Sequence, residues 1–168
     1  MIRNARVADV PVIRDMIREL AEYEKVPGEA RATEEQLREA LFGERPAVFA
    51  HIAESEDGEP VGFAVWFLSF STWRGAHGIY LEDLYVRPGA RGGGHGKALL
   101  AELARTCVER GYERLEWSVL DWNTPALDFY RSVGAAPMDE WTVHRLTDDA
   151  LRGLAGGGGR PGRVKVRG

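Results

Sequence analysis

The stretch that decides the fold is residues 78–110, which read GIYLEDLYVRPGARGGGHGKALLAELARTCVER. Its first third is rich in aromatic and aliphatic residues and is closed by a proline–glycine pair, which is typical of a β-strand. Its last half carries apolar residues at helical spacing and is followed by Gly111, so it predicts a helix over residues 95–110. The apolar positions are Leu99, Leu100, Leu103, Ala104, Cys107 and Val108.

Between the strand and the helix lies a loop with four glycines in the five positions 92–96. The first backbone N–H groups of a helix have no partner within the helix, and the helix dipole adds partial positive charge at the same place. Glycine lets a ligand approach the backbone closely because it has no Cβ. The stretch therefore predicts an anion-binding loop, and phosphate is the anion that suits it.

Three kinds of phosphate-binding loop have sequence patterns related to this stretch. A P-loop requires Ser or Thr directly after its lysine, and here Lys97 is followed by Ala98, so that loop is excluded. A dinucleotide fingerprint fits only when forced onto the glycines. The third pattern is Arg-x-x-Gly-x-Gly after a strand, and it is matched by Arg91, Gly94 and Gly96.

The rest of the chain predicts a mixed sheet with crossover helices. Two apolar runs separated by an acidic, glycine-containing turn indicate a β-hairpin, and Thr33 with Gln36 forms a capping box before a short helix. The order is β-α-α-β-β-β-α-β-α-β, antiparallel at first and α/β after Gly78. Strands are predicted at residues 2–7, 47–53, 61–68, 78–87, 114–120 and 141–146, and helices at 10–23, 34–41, 95–110 and 124–133, with a loop over 69–77.

Length and composition bound the architecture and the partners. A chain of 168 residues with 44% apolar content is long enough for one well-buried α/β domain, predicted over residues 1–155. Residues 156–168 are glycine-rich and basic, and disorder is expected there. The net charge is −4, and the four basic residues of this tail make the remainder more acidic still. An acidic body argues against nucleic acid and suits a small cationic substrate.

The sequence shows neither a targeting or membrane segment nor a metal-ligand pattern. No signal peptide and no apolar run near the roughly 20 residues of a membrane helix are visible, so we expect a cytoplasmic protein without membrane contact. The histidines lack the spacing of metal ligands, so no metal is expected. They are His51, His77, His95 and His144.

The loop in its context resembles the acetyl-CoA pyrophosphate loop of the GNAT N-acetyltransferases. Four further stretches resemble the branch of that family that contains diamine (spermidine/spermine) and thialysine acetyltransferases, and the similarity spans residues 2–154. The resemblance implies an α/β fold with a GNAT-like mixed, centrally splayed sheet of about six or seven strands flanked by about four helices. The stretches are IRELAEYE at 17–24, VGFA at 61–64 with Trp73 downstream, YLEDLYV at 80–86, and WNTPALDFYRSVGA at 122–135.

The resemblance also implies where the donor, acetyl-CoA, is held. The glycine-rich loop would bind the pyrophosphate, while the edge of the preceding strand and an asparagine would hydrogen-bond the pantetheine arm. Nothing in the residue spacing indicates a bulge in that strand. The implied donor-binding residues are Leu84, Tyr85, Val86, Arg91, Gly92, Gly93, Gly94, His95, Gly96, Lys97, Asn123 and Tyr130.

Acetyl transfer to an amine needs a base and an acid. An alkylammonium has a pKa of about 10.4, so its proton must be removed before attack. Glu82 and Asp83 are candidates, expected on alternate faces of their strand, and the resemblance favours Glu82, through an ordered water. Tyr130 matches the tyrosine that protonates the leaving thiolate in many GNAT enzymes.

The acceptor is expected to be a small cationic amine. Acids and aromatic rings receive cations, and the candidates are Glu24, Trp73, Glu82, Asp83, Asp139 and Trp141. Ser71 stands where diamine enzymes are expected to carry an acid, so diamines, polyamines and lysine analogues all stay open. A non-catalytic acyl-CoA sensor and a protein lysine acetyltransferase are the alternative functions. A homodimer is expected by family analogy alone.

Overall fold

The computed structural model describes residues 1–156, and within them it has five strands and five α-helices. The strands are β1 (Ile2–Asn4), β2 (Phe49–Glu54), β3 (Pro60–Ser71), β4 (Ala76–Val86) and β5 (Leu115–Trp117). The helices are α1 (Val10–Tyr23), α2 (Glu34–Phe42), α3 (His95–Arg110), α4 (Thr124–Ser132) and α5 (Asp148–Leu154). Single 3-10 turns lie at Val7–Asp9, Pro27–Glu29 and Pro88–Ala90.

The five strands form one mixed sheet in the order β1-β2-β3-β4-β5. The first four are antiparallel, and β5 is parallel to β4. Parallel strands require a long crossover connection, which α3 supplies between β4 and β5. The predicted GNAT-like mixed α/β sheet is confirmed, although it has five strands in the described residues instead of six or seven.

Helices α1 and α3 cover opposite faces of the sheet. The face under α1 carries Ala50 and Ile52 of β2, which pack with Ile13 and Met16 in a buried apolar cluster. Successive side chains of a strand point to opposite faces, so His51 lies on the other face. There it lines a pocket together with α3, and its Nδ1 accepts a 3.0 Å hydrogen bond from Nε1 of Trp66.

The capping and stop residues predicted from the sequence mark the ends of two helices. Helix α3 begins at His95 and ends at Arg110, with Gly111 in the left-handed region at φ 72°. Thr33 Oγ1 accepts from the N–H of Gln36, whose side chain accepts from the N–H of Thr33, so the predicted capping box is confirmed. Val108, placed on the buried stripe of α3, is 81% exposed, so that part of the helix prediction is wrong.

The loop predicted over residues 69–77 is shorter than expected. β3 runs on to Ser71 and β4 begins at Ala76, because Ser69 to Ser71 pair with Gly78 to Ala76. Only residues 72–75 form the connecting turn. Phe70 therefore lies on a strand and not in a loop.

The last predicted strand, residues 141–146, is wrong. Those residues have no regular structure, and helix α5 follows them. Thr142 and Val143 favour extended backbone, but a strand also needs a hydrogen-bonding neighbour, and no described residue pairs with this segment. β5 is likewise only three residues long, whereas residues 114–120 were predicted.

The chain divides into two compact units, Met1–Asn123 and Thr124–Gly168. The first contains the whole sheet with α1, α2 and α3, and the second contains α4 and α5. The single domain predicted over residues 1–155 stays a prediction, and all of the predicted disordered tail beyond Gly156 lies outside the described residues. Within the described part, no helix is both long and apolar enough to span a membrane.

Replacing Gly78 with Ala should weaken the junction of β4 and β5. A Cβ there would stand 2.9 Å from the carbonyl oxygen of Arg114, which accepts a 2.9 Å hydrogen bond from Ile79. We expect Gly78→Ala to lower the free energy of unfolding by about 1–3 kcal/mol, measured by urea denaturation.

The matched control is Gly89→Ala, since no described atom lies within 4 Å of the Cβ it would add. That variant should unfold within about 0.5 kcal/mol of the wild type. Equal effects of the two substitutions would contradict the crowding at Gly78.

Candidate active site

The glycine-rich loop lies between the end of β4 and the start of α3. Gly92 and Gly94 have φ values of 87° and 79°, in the left-handed region that other residues rarely adopt. Among the described residues, no atom comes within 4 Å of where a Cβ would stand on either of them. The loop therefore needs glycine for its backbone shape and leaves space beside it.

The N-terminus of α3 is open on the same side. Gly94 is the N-cap residue, and no side chain of the described residues caps the helix. At Gly96, an added Cβ would meet only Cγ2 of Val86, at 3.8 Å. Uncapped first-turn N–H groups beside a glycine loop fit the oxygen atoms of a pyrophosphate. His95 and Lys97 begin this helix, half-buried and exposed respectively.

Arg91 holds the first part of the loop against the strand end. Its Nε donates a 3.0 Å hydrogen bond to the carbonyl oxygen of Val86. Its guanidinium carbon lies 5.0 Å from the ring centroid of Tyr23 and 5.8 Å from that of Tyr85. Contacts of this kind between a cation and an aromatic face are attractive, so Arg91 is fixed between α1 and β4.

The edge of β4 that leads to the loop is open toward β5. The two strands pair only at Ile79, Tyr80 and Leu81, with Leu115–Trp117 as partners. Beyond Leu81, no described strand pairs with β4 on that side. The central splay expected for the sheet is thus present, and Leu84, Tyr85 and Val86 lie along it.

A β-bulge interrupts β4 at Glu82. Val65 of β3 pairs with Asp83, while the next residue, Trp66, pairs with Leu81. Glu82 is the extra residue of the longer strand and has no partner in β3. Bulges bend a strand and re-aim its side chains, and they are common next to active sites. The residue spacing of β4 gives no sign of this bulge, and the family resemblance implied only that two strands splay here.

The bulge changes which β4 residues share a face. Val65 and Phe67 are two apart on β3 and so point to the same face. Their partners are Asp83 and Tyr80, which are three apart on β4. Side chains paired across two strands lie on one face, so the shift brings Asp83 and Tyr80 together. The strict alternation expected along β4 is therefore broken between Tyr80 and Asp83.

Asp83 is the most strongly perturbed carboxyl group of this region. Burial, together with the negative charges of Glu82 and Glu24, raises its pKa to about 6. Glu24 caps the C-terminus of α1, and burial also raises its pKa. Glu82 is exposed. Groups with perturbed pKa values are candidates for function, so Asp83 and Glu24 are candidates, and the role of all three acids at an acceptor site stays a prediction.

A hydrogen bond between two hydroxyl groups involves Tyr80, which lies on the same face as Asp83. The hydroxyl oxygens of Tyr80 and Ser118 are 2.8 Å apart, and the ring of Tyr80 lies 5.2 Å from that of Phe67. The predicted aromatic contact Trp73 lies instead in the β3–β4 turn and is 87% exposed. Sequence reasoning did not single out Tyr80, although it is the first residue of the quoted YLEDLYV stretch.

A third group of contacts surrounds Asn123. Its Oδ1 accepts a 3.1 Å hydrogen bond from the hydroxyl of Tyr23, the last residue of α1. The ring of Tyr23 is 6.0 Å from that of Trp122, and Nζ of Lys25 lies 4.5 Å from the centroid of Trp122. Sequence reasoning missed Tyr23, because its partners are far away along the chain.

The second unit carries the other predicted site residues. Tyr130 lies on α4, its ring 5.6 Å from that of Phe129, and its carbonyl oxygen accepts from the N–H of Ala135. Asp139 and Trp141 lie in the segment without regular structure, where both are exposed. Their roles stay predictions.

Comparison with known proteins agrees with this geometry. The chain is 42% identical over 166 residues to a thialysine N-epsilon-acetyltransferase of Bos taurus, covering 93% of this chain and 97% of that protein. It is 32% identical over 197 residues to an L-ornithine N5-acetyltransferase of Arabidopsis thaliana, covering 91% and 86%.

The fold has close counterparts among solved structures. An integron cassette protein from the mobile metagenome of V. cholerae superposes with a TM-score of 0.77 at 28% identity, covering 92% of this chain and 96% of that one. Residues 13–135 match the acetyltransferase (GNAT) family. The open glycine loop, the splayed strand and these similarities together show that the chain belongs to the GNAT family of acetyltransferases.

Proposed function

We propose that this acetyltransferase moves the acetyl group of acetyl-CoA to a primary amine of a small cationic acceptor, a diamine, polyamine or lysine analogue, by direct attack within a ternary complex. The observation that carries the proposal is the bulge in β4. It brings the half-buried Asp83 to the same face as Tyr80 on the strand that runs directly into the glycine-rich loop.

The donor would be held by backbone groups. The N–H groups of residues 92–97 would bind the pyrophosphate, and the unpaired edge at Leu84, Tyr85 and Val86 with Asn123 would bind the pantetheine arm. The uncapped start of α3 and the absence of a β5 partner beyond Leu81 in the described chain support this assignment. Bound acetyl-CoA supplies a thioester carbonyl for attack and a thiolate as leaving group.

The acceptor would be held by charge. Carboxylates of Asp83 and Glu24 attract an ammonium group, and the attraction is stronger in a partly buried site because the effective dielectric constant is lower there. Tyr80 and Phe67 supply an aromatic wall on the same face. Trp73, Asp139 and Trp141 are further candidates for contacts with the rest of the acceptor.

The transfer needs two proton movements. Glu82 would take a proton from the ammonium group through a water molecule, leaving a neutral amine whose nitrogen bonds to the acetyl carbon as the carbon–sulfur bond breaks. Tyr130 would give its hydroxyl proton to the departing thiolate, since a phenol with a pKa of about 10 is neutral at pH 7. The acetylated nitrogen loses its second proton to solvent as the amide forms, and the phenolate regains a proton from solvent.

An acceptor panel tests the proposal directly. Purified protein with acetyl-CoA should release CoA when thialysine, ornithine, lysine, spermidine or a short diamine is added, and only background release should occur without an amine. The rate should rise with pH as the amine is deprotonated. Binding of acetyl-CoA with no turnover on any acceptor up to pH 9 would instead indicate a sensor.

Tyr130→Phe should separate catalysis from binding. The variant loses one hydroxyl, so kcat should fall about 10²- to 10⁴-fold while the affinity for acetyl-CoA stays within about twofold of the wild type. The control is Tyr112→Phe, whose ring packs on His77. An unchanged kcat in Tyr130→Phe would remove this tyrosine from the mechanism.

Asp83→Asn should stabilise the protein in a pH-dependent way. The folded state raises the pKa of Asp83, so it binds the proton more tightly than the unfolded chain does. Its stabilising contribution is complete below about pH 4 and is lost as the pH rises through about 6. The variant should therefore gain up to about 3 kcal/mol relative to the wild type between pH 4 and pH 7.5.

The same variant should bind the acceptor more weakly, because a neutral amide replaces the carboxylate. Chemical denaturation and the acceptor KM measure the two effects. Asp57→Asn, on the exposed β2–β3 turn, is the control. A stability difference that does not vary with pH would show that Asp83 is not the perturbed group.

A further inference from the structure

We propose that Tyr23 is a positioning residue for the donor site: its hydroxyl orients the side-chain amide of Asn123, and its ring fixes the guanidinium of Arg91. The inference rests on the proposed function, because Asn123 and Arg91 are assigned there to acetyl-CoA. Tyr23 is not among the donor-binding or the acceptor-binding residues predicted from the sequence. It would act through these two neighbours and without contact to the reacting atoms.

The hydroxyl contact joins two distant parts of the chain. Tyr23 ends α1, and Asn123 follows β5 exactly 100 residues later in sequence. The phenol donates to Oδ1 of Asn123 at 3.1 Å. An asparagine side chain carries an acceptor and a donor on the same carbon, so a proton donor on one side decides how the amide is turned. A turned amide would offer the wrong group to the pantetheine arm.

The ring contact reaches the other half of the donor site. The guanidinium of Arg91 lies over the ring of Tyr23 while Nε donates to the carbonyl of Val86. Arg91 directly precedes the two left-handed glycines, Gly92 and Gly94, whose backbone is the least restrained of all residue types. Holding Arg91 in place therefore limits the conformations of the loop before the donor arrives.

Tyr23 is poorly suited to a purely structural role. It is 38% exposed, whereas the buried residues of α1 are Val10, Ile13, Met16 and Ala21. The end of β4 is attached to α1 independently, through a 3.0 Å ion pair between Arg87 and Glu19. Loss of the Tyr23 hydroxyl should therefore leave the packing of α1 intact.

The position of Tyr23 also connects the two substrates. The next residue is Glu24, whose charge raises the pKa of Asp83 on the acceptor side. One helix end thus contacts the donor loop through Tyr23 and faces the acceptor acids through Glu24. Ordering of this helix end by the donor would favour a correctly placed Glu24.

The test uses Tyr23→Phe, which keeps the ring and removes only the hydroxyl. Binding of acetyl-CoA, measured by isothermal titration calorimetry on the full chain, should weaken about 3- to 10-fold, as expected for one lost hydrogen bond. The KM for acetyl-CoA should rise by a similar factor, while kcat and the melting temperature stay as in the wild type. Tyr23→Ala should weaken binding further, because Arg91 then loses its ring contact.

A double-mutant cycle gives the sharper readout. Asn123→Ala should weaken binding, and adding Tyr23→Phe to it should have no further effect, since the hydroxyl acts through the amide. Tyr112→Phe is the matched control and should bind acetyl-CoA like the wild type.

Two outcomes overturn the proposal, and they differ from a failure of the proposed function. The first is wild-type affinity in Tyr23→Phe, and the second is a fully additive effect in the double variant. Each would leave the acetyl transfer itself untouched. If the wild-type protein bound no acetyl-CoA, the donor assignment would fail and this inference with it. Tight binding without turnover on any amine would contradict only the acceptor half of the proposed function.

Discussion

The site depends on how β4 is hydrogen-bonded. As far as Leu81 the strand has neighbours on both sides, and beyond it the described chain offers only β3 as a partner. The bulge at Glu82 coincides with that change. A strand that loses one neighbour has backbone N–H and C=O groups that need other partners, and in a protein interior such groups are rarely left without one. The open edge of β4 leads directly into the glycine-rich loop, where no described side chain caps the start of α3.

The glycine-rich loop and the bulge in β4 differ in their electrostatics. At the loop, the start of α3 and its glycines provide N–H donors and suit an anion. At the bulge, Asp83 and Glu24 have raised pKa values and suit a cation. A buried charged Asp83 lowers the stability of the folded protein near neutral pH, since its proton is lost in a partly desolvated place. Stability given up at such a position is typical of functional sites.

Part of this arrangement could be predicted from local sequence. Gly94 and Gly111 mark the ends of α3, and Thr33 with Gln36 marks the start of α2, because caps and stops depend on residues within one turn of a helix. The glycine loop is equally local. Its shape requires left-handed backbone at positions 92 and 94, which glycine adopts easily, and both positions are glycine.

The remainder depends on residues that are far apart in sequence. The bulge is a property of the register between β3 and β4, which neither strand carries alone. The contact of Tyr23 with Asn123 spans most of the first unit. The prediction of a strand at residues 141–146 was wrong for a related reason. A favourable backbone propensity does not provide a neighbouring strand to pair with.

Amide hydrogen exchange with and without acetyl-CoA tests the central claim, that the donor lies along the open edge of β4 and over the glycine loop. We expect acetyl-CoA to slow exchange at residues 84–86 and 92–98, while exchange in β1 and β2 stays unchanged. Protection confined to another part of the sheet, or no protection in these two segments at saturating acetyl-CoA, would contradict it.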